Sequence, residues 1–236
     1  MLLSVREAAS LLRTTERRVY GWVDDEELPF QRVRDQVRFN PTDLLEWATS
    51  RQLPVSLEAF SAGIDAEERA PSLAQALKVG GVHRDVAATD RESALRAAIR
   101  HTPLPSNIDP EFVIEVLLAR ETSGSMAIGN GIAMPHVRHP IVAAGAPARV
   151  SVSYLSKAVP FRAVDDKPVT TLILIVSPTI RRHMQLLVRL ARALQDPEFS
   201  ATLARRGALA ELVAVATRLE SVGSVPPPPL KGSPVR

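Results

Sequence analysis

His136 is the residue of this sequence whose setting best suits chemistry. It ends a stretch that begins with small residues around Gly124 and passes through Gly129 and Gly131 into a short apolar segment. That segment, Ile132 to Met134, predicts a buried strand because it is too short for a helix, and the proline after it would end the strand. The imidazole would then sit at the mouth of a strand, a setting suited to a reactive histidine. A capping or core histidine beside an ordinary turn fits the same spacing.

A second histidine, His139, follows His136 by three residues, a spacing that could suggest a metal pair. Pro135 and Pro140 flank the pair and argue against a helix that would hold both rings together. No carboxylate or cysteine lies nearby, and the chain contains no cysteine at all, which excludes disulfides and thiolate metal sites. We therefore predict no metal ion and no other cofactor.

The composition limits the number of domains and indicates where in the cell the protein works. The chain of 236 residues is 45% hydrophobic, which allows one large or two modest domains with a real core. Residues 1–53 carry 8 basic and 9 acidic side chains, a balance of −1, and residues 54–236 carry 21 and 17, a balance of +4. Neither part shows a concentrated basic face. The N-terminus lacks a signal-peptide pattern, and apolar runs such as Leu172 to Val176 are too short to cross a bilayer, so we expect a cytoplasmic protein with no membrane partner.

The first 53 residues predict a small domain of helices and a hairpin. A capping box at Ser4 to Glu7 opens one helix, and a second helix follows a short break. Phe30 to Phe39 alternates around a polar turn, which predicts a β-hairpin. Asn40 followed by Pro41 opens a third helix, Thr42 to Ala48. This order predicts a winged helix-turn-helix domain over residues 1–53.

The remainder of the chain predicts a larger α/β domain. Residues 54–71 lack periodicity and are predicted to be a linker, and residues 72–220 alternate between helical and strand patterns. Strands are predicted at Val82 to Ala87, Ala148 to Leu155 and Val169 to Val176. The proline-rich residues 221–236 predict a disordered tail.

Four motifs occur in order within residues 2–50. They are Ser4 to Leu12, Val19 to Trp22, Glu27 to Pro29, and Asn40 to Trp47. Together they resemble the excisionase/MerR-type DNA-binding domain, which implies that the second helix enters the major groove and the hairpin lies on the backbone. The residues implied to contact DNA are Arg17, Arg18 and Tyr20 on the helix, and Arg32, Arg34 and Arg38 at phosphates.

An acidic corner leaves a different role for this domain open. Asp24 to Glu27 are four consecutive acids at the end of the second helix. Negative charge there repels DNA phosphates, whose neutralisation supplies most non-specific affinity. The alternative is a domain that serves protein contacts, including a homodimer.

A second set of motifs occurs in residues 72–219. They are Arg120-Glu121, Gly124-Ser125, Gly129 to His136, Pro160 to Asp165, His183 to Ala191, and Asp196 to Phe199. In this order they resemble the enzyme IIA domain of the bacterial phosphotransferase system, of the fructose–mannitol and nitrogen-regulatory class. The resemblance implies a mixed sheet flanked by helices.

The resemblance also implies roles for individual residues. His136 would accept a phosphoryl group from the histidine phosphocarrier protein of the system, since an imidazole with an ordinary pKa near 6.5 is a nucleophile at neutral pH. His183 would hydrogen-bond the phosphoryl oxygens, and Arg120 would add a cation. Ser125 and the backbone of Gly129 and Gly131 would donate further hydrogen bonds. Without the resemblance, His183 would be a water-exposed histidine at a helix start.

Three departures from the family pattern bear on the site. Val137 replaces the usual small residue after the histidine and could alter docking of the carrier. Met126 removes a hydroxyl that could bind phosphate, and Asp166-Lys167 replaces a common glycine.

Three functions stay open from the sequence. The first is a phosphoryl carrier, rather than a free-standing turnover enzyme, whose phosphorylation tunes a DNA-binding head. The second is a non-enzymatic interaction module, and the third is a phosphoryl relay to a separate sugar-transport subunit.

Overall fold

A computed structural model describes residues 2–56, 71–106, 108–122, 125–136, 145–163 and 165–222. Most of the predicted linker and tail lies outside these residues, as do Gly124, Val137 and His139. The first three residues of the predicted linker, 54–56, pack with the first domain. Val55 is buried and the Ser56 amide donates to the Leu11 carbonyl at 2.7 Å.

The first domain, called the head below, has the predicted order of elements. They are α1 (Val5–Leu11), α2 (Glu16–Asp24), β1 (Gln31–Val33), β2 (Gln36–Arg38) and α3 (Pro41–Ser50). The Ser4 capping box begins α1, and Thr15 and Asn40 cap α2 and α3. The hairpin turn is the pair Arg34 and Asp35, both with positive φ, a geometry that matches the twist of paired strands.

The second domain, called the body below, contains a five-stranded mixed sheet. Its strands are β3 (Val82–Val86), β4 (Ala127–Gly129), β5 (Ile132–Ala133), β6 (Arg149–Val159) and β7 (Val169–Val176), in the order β3-β6-β7-β5-β4. The pairs β3–β6 and β5–β7 are parallel, and the other two pairs are antiparallel. The mixed α/β fold is therefore confirmed. The sequence did not predict β4, whose three residues carry no detectable alternation.

Helices cover both faces of the sheet. They are α4 (Leu73–Gly80), α5 (Arg91–His101), α6 (Pro110–Thr122), α7 (Ile180–Gln195), α8 (Pro197–Ala204) and α9 (Leu209–Val222). α5 and α6 share one apolar cluster with one face of the sheet. α4, α7, α8 and α9 pack on the other face. Burial of apolar surface on both faces accounts for the apolar run of β7.

The head packs against the body along α7. α3 contacts α7 and β4, and the apolar core of the head is continuous with the cluster around α7. The Thr42 hydroxyl donates to the Met184 sulfur at 3.7 Å near the start of α7, and the Gln195 amide donates to the Leu53 carbonyl at 2.6 Å at its end. α3 therefore runs beside α7 over most of its length.

Candidate functional site

His136 lies at the carboxyl edge of two parallel strands. Ile132 pairs with Thr171 in register, so β5 and β7 end on the same edge of the sheet. The His136 Nδ1 atom is 2.7 Å from the Met134 carbonyl oxygen. Because a carbonyl can only accept, Nδ1 must carry the proton, and the neutral ring then has its lone pair on Nε2. The side chain is only 4% exposed.

His183 belongs to the first turns of α7, which begins just after β7. Thr179 caps this helix by accepting from the Arg182 amide at 3.2 Å. The ring of His183 is buried, and neither of its nitrogens has a hydrogen-bond partner among the described residues. Burial, with a smaller effect of charge on His136, lowers the pKa of His183 to about 3. His183 is therefore a neutral, buried donor close to His136, rather than a water-exposed residue.

Arg120 brings a guanidinium to the same place. It lies in the last turn of α6, and its side chain is 15% exposed. Its Nη2 atom is 3.0 Å from Oε2 of Glu46, a residue of α3 in the head. The same carboxylate oxygen is 3.4 Å from Nε2 of His136, without forming a hydrogen bond. The Glu46 carboxylate thus contacts the Arg120 guanidinium and lies directly over Nε2 of His136.

Glu121 and Met126 link the end of α6 to the start of β4 through a hydrogen bond. The buried Glu121 carboxylate accepts from the Met126 amide at 3.0 Å and from Arg91 at 3.3 Å. Burial raises the pKa of Glu121, and these hydrogen bonds oppose the rise. The Met126 side chain is fully buried in the α5–α6 cluster. The methionine at this position therefore packs in the apolar core.

The structure places Ser125, Gly129 and Gly131 in loop contacts. The Ser125 hydroxyl donates to the Phe161 carbonyl and accepts from the Ala127 amide. Gly129 and Gly131 have φ of 90° and 72° in the turn between β4 and β5, which favours glycine. This turn precedes β5, whereas His136 follows it. The structure thus groups His136, His183 and Arg120 and gives the other three residues turn and loop contacts.

Asp165 secures the same turn from the loop before β7. Its carboxylate accepts from the Asn130 amide at 2.8 Å, and this hydrogen bond is the main reason that the pKa of Asp165 is lowered. Asp166, where the family commonly has glycine, has φ of 54°. The left-handed conformation explains the usual glycine.

The residues implied to contact DNA lie on the surface of the head. Arg17, Arg18 and Tyr20 are exposed on α2, and the Arg18 guanidinium stacks 5.2 Å from the Trp22 ring centroid. In the hairpin, Arg32 and Arg34 are exposed. Arg38 is half-buried and donates to the Val37 carbonyl at 3.2 Å and to the Gln36 side chain. The acidic corner of α2 is exposed too.

Glu46 is the site residue that sequence reasoning missed. It lies in a motif of the head, 74 residues before Arg120, and nothing local indicates an interdomain contact. The sequence of α7 gave an indirect indication that another element packs on this helix. Leu186 and Leu190 are buried, as are Met184, Leu187 and Val188. A helix that is apolar on more than one side needs a packing partner on each apolar side.

The fold and the site define an α/β domain that presents a buried histidine pair and an arginine at a strand edge, with a helix-turn-helix head. The chain belongs to the family described as "Phosphoenolpyruvate-dependent sugar phosphotransferase system, EIIA 2", whose model matches residues 75–217. Residues 2–52 match the family described as "Helix-turn-helix domain". Both resemblances drawn from the sequence are confirmed at this level.

Similar proteins include nitrogen regulatory proteins. The one from Bradyrhizobium diazoefficiens is 35% identical over 95 residues, which cover 39% of this chain and 59% of that protein. The one from Pseudomonas aeruginosa is 37% identical over 89 residues, covering 36% and 55%. The chain thus spans a little over half the length of these curated relatives.

A solved structure supports the fold assignment of the body. Nitrogen regulatory protein IIA-Ntr from Neisseria meningitidis superposes with a TM-score of 0.51 at 24% identity, over 61% of this chain and 98% of that one. Among the described residues, no helix has the length and apolarity needed to cross a membrane.

Proposed function

We propose that His136 accepts a phosphoryl group on Nε2 from the phosphohistidine of a carrier protein. The observation that carries the proposal is the 2.7 Å contact between Nδ1 and the Met134 carbonyl. It fixes the tautomer whose Nε2 lone pair can attack phosphorus. The new N–P bond forms as the N–P bond of the carrier breaks, and the carrier imidazole leaves with the electron pair.

The groups around Nε2 suit the charge of the phosphoryl group. The Met134 carbonyl stabilises the positive charge that the ring gains when Nε2 is bonded to phosphorus. The Arg120 guanidinium supplies a cation for the phosphoryl oxygens. His183, which burial keeps neutral, can donate one N–H to an oxygen without competing for a proton. Phosphoryl transfer needs this positioning and charge stabilisation more than any covalent help from the protein.

Phosphorylation by the intact carrier system tests this proposal. The protein is incubated with the histidine phosphocarrier protein, its kinase and phosphoenolpyruvate until labelling is complete. We expect one acid-labile phosphate per chain, which His136→Asn abolishes. The matched control is His101→Asn, because His101 is exposed at the end of α5 and should leave labelling unchanged. Absence of label on the unaltered chain, or equal label on His136→Asn, would refute the proposal.

We also propose that the head binds DNA through α2. The helix-turn-helix match and the exposed row of Arg17, Arg18 and Tyr20 support this role. A gel-shift selection against random duplexes at several salt concentrations tests it. Affinity that falls steeply with salt is expected of phosphate contacts, whereas no shift at low salt would favour the protein-interaction alternative. Relay to a sugar-transport subunit stays a prediction from the resemblance, and a homodimer stays the alternative role that the acidic corner leaves open for the head.

A further inference from the structure

We propose that the head is an internal ligand of the phosphorylation site, with the Glu46 carboxylate in the place that the phosphoryl group takes. This inference rests on the proposed phosphorylation of His136. Glu46 Oε2 is 3.0 Å from the Arg120 guanidinium and 3.4 Å from Nε2 of His136. A carboxylate is an anion with planar oxygens, and it engages the cation that would serve a phosphoryl oxygen.

The contact of Glu46 is part of a built interface. The carboxylate is only 14% exposed, and the Nε2 atom that it faces is fully buried. On either side of it, Thr42 donates to Met184 and Gln195 donates to Leu53. The apolar core of the head merges with the cluster around α7. Packing along the whole of α3 therefore holds the acid over the site.

The docked head and a phosphorylated His136 exclude each other. An oxygen 3.4 Å from Nε2 leaves no room for a phosphorus atom with three oxygens of its own. A phosphoryl group also brings about −1.5 to −2 charges, which Glu46 would repel at this distance. The docked head moreover blocks the approach of a carrier to Nε2. The head must therefore leave before transfer and stay away afterwards.

The release changes what the head presents. Arg17, Arg18 and Tyr20 are exposed in the docked state, so docking does not mask the face of α2. Release exposes the face of α3 that carries Thr42 and Glu46. It also ends the fixed arrangement of head and body. Phosphorylation thus separates two domains that pack on each other in the unphosphorylated protein.

Distance measurements between the two domains test this inference. The chain has no native cysteine, so Glu16→Cys on α2 and Lys157→Cys on β6, both exposed, give a single pair of spin-label sites. We expect one narrow distance in the unphosphorylated protein and a broad, longer distribution after phosphorylation. Glu46→Arg should be open without phosphate, because it places a second cation beside Arg120 in place of the carboxylate that Arg120 now contacts.

Transfer rates provide the second readout. Glu46→Gln keeps the shape but removes the charge, and we expect phosphorylation about tenfold faster, the size of a lost charge-assisted contact. The matched control is Glu115→Gln, an exposed acid on the same helix as Arg120, which should change neither rate nor distance.

The outcomes separate this inference from the proposed function. If His136 is phosphorylated while the label distance stays narrow, or if Glu46→Gln is no faster, the internal-ligand proposal is overturned and the phosphoryl acceptor stands. If Glu46→Arg opens the head and still takes up no phosphate, the acceptor proposal fails by itself. If Glu46→Arg keeps the narrow distance, Glu46 does not hold the head.

Discussion

The buried ring of His183 offers a sharp test, because function and stability should respond in opposite directions. Both of its ring nitrogens lack partners among the described residues, and an unsatisfied buried polar group costs about 1–3 kcal/mol. His183→Leu removes both groups at similar volume, with a repacking cost of up to about 1.5 kcal/mol. We expect the free energy of unfolding to rise by about 1 kcal/mol or more.

The same substitution should impair phosphoryl transfer. A hydrogen bond to a charged group contributes about 1.5–3 kcal/mol, which corresponds to a loss of about 10- to 150-fold in rate. Urea unfolding gives the stability and single-turnover transfer from the phosphorylated carrier gives the rate. His183→Gln, which retains an N–H donor, should recover part of the rate. A leucine variant that is less stable, or that transfers at the normal rate, would show that His183 is a structural residue.

Three further predictions follow from the geometry of the site and the head. The pKa of His183 is about 3 when folded and near 6.5 when unfolded, so the unfolded chain binds more protons between these values. The free energy of unfolding should be unaffected by this group above about pH 6.5 and should fall by about 1.4 kcal/mol per pH unit as the pH drops from there toward 3. Unfolding of the His183→Leu variant should lack this pH dependence. Asp165→Asn should lower stability by about 1 kcal/mol in urea unfolding, because the Asn130 amide loses its charged acceptor. Arg17→Ala with Arg18→Ala should weaken DNA binding at least tenfold and reduce the salt slope by about two in a gel shift.

Each of these three has a result that would contradict it. An unchanged pH slope in His183→Leu would mean that His183 titrates normally in the folded protein. Asp165→Asn with full stability would mean that the β4–β5 turn needs no acceptor. Glu115→Gln is its control, because it neutralises an exposed acid on α6, away from this turn. Equal DNA affinity after loss of both arginines would place any DNA contact elsewhere on the head.

Elements with strong local signals were predictable from the sequence. Ser4, Asn40 and Asp196 begin helices where their side chains accept from the first-turn amides, and such caps act within a few residues. The strand Val169–Val176 was predicted with its observed bounds, since an unbroken apolar run needs burial on both faces. The strand β4 was not predicted, because three residues are too few for a periodic pattern.

The candidate site was only partly predictable for a physical reason. The tautomer of His136 depends on the Met134 carbonyl two residues earlier, which a sequence does not orient. The glycines looked like phosphate donors because glycine permits both close approach and positive φ, and the structure shows positive φ in a turn. Glu46 joins the site through packing of one domain on another, a long-range contact with no local pattern.

The most direct test of the central claim is the position of the phosphoryl group on the His136 ring. The protein is labelled with 15N-histidine, phosphorylated through the carrier system, and studied by NMR for coupling between nitrogen and phosphorus. We predict coupling at Nε2 of His136 with Nδ1 still protonated, as its contact with the Met134 carbonyl requires. Coupling at Nδ1, or at a histidine other than His136, would contradict the account.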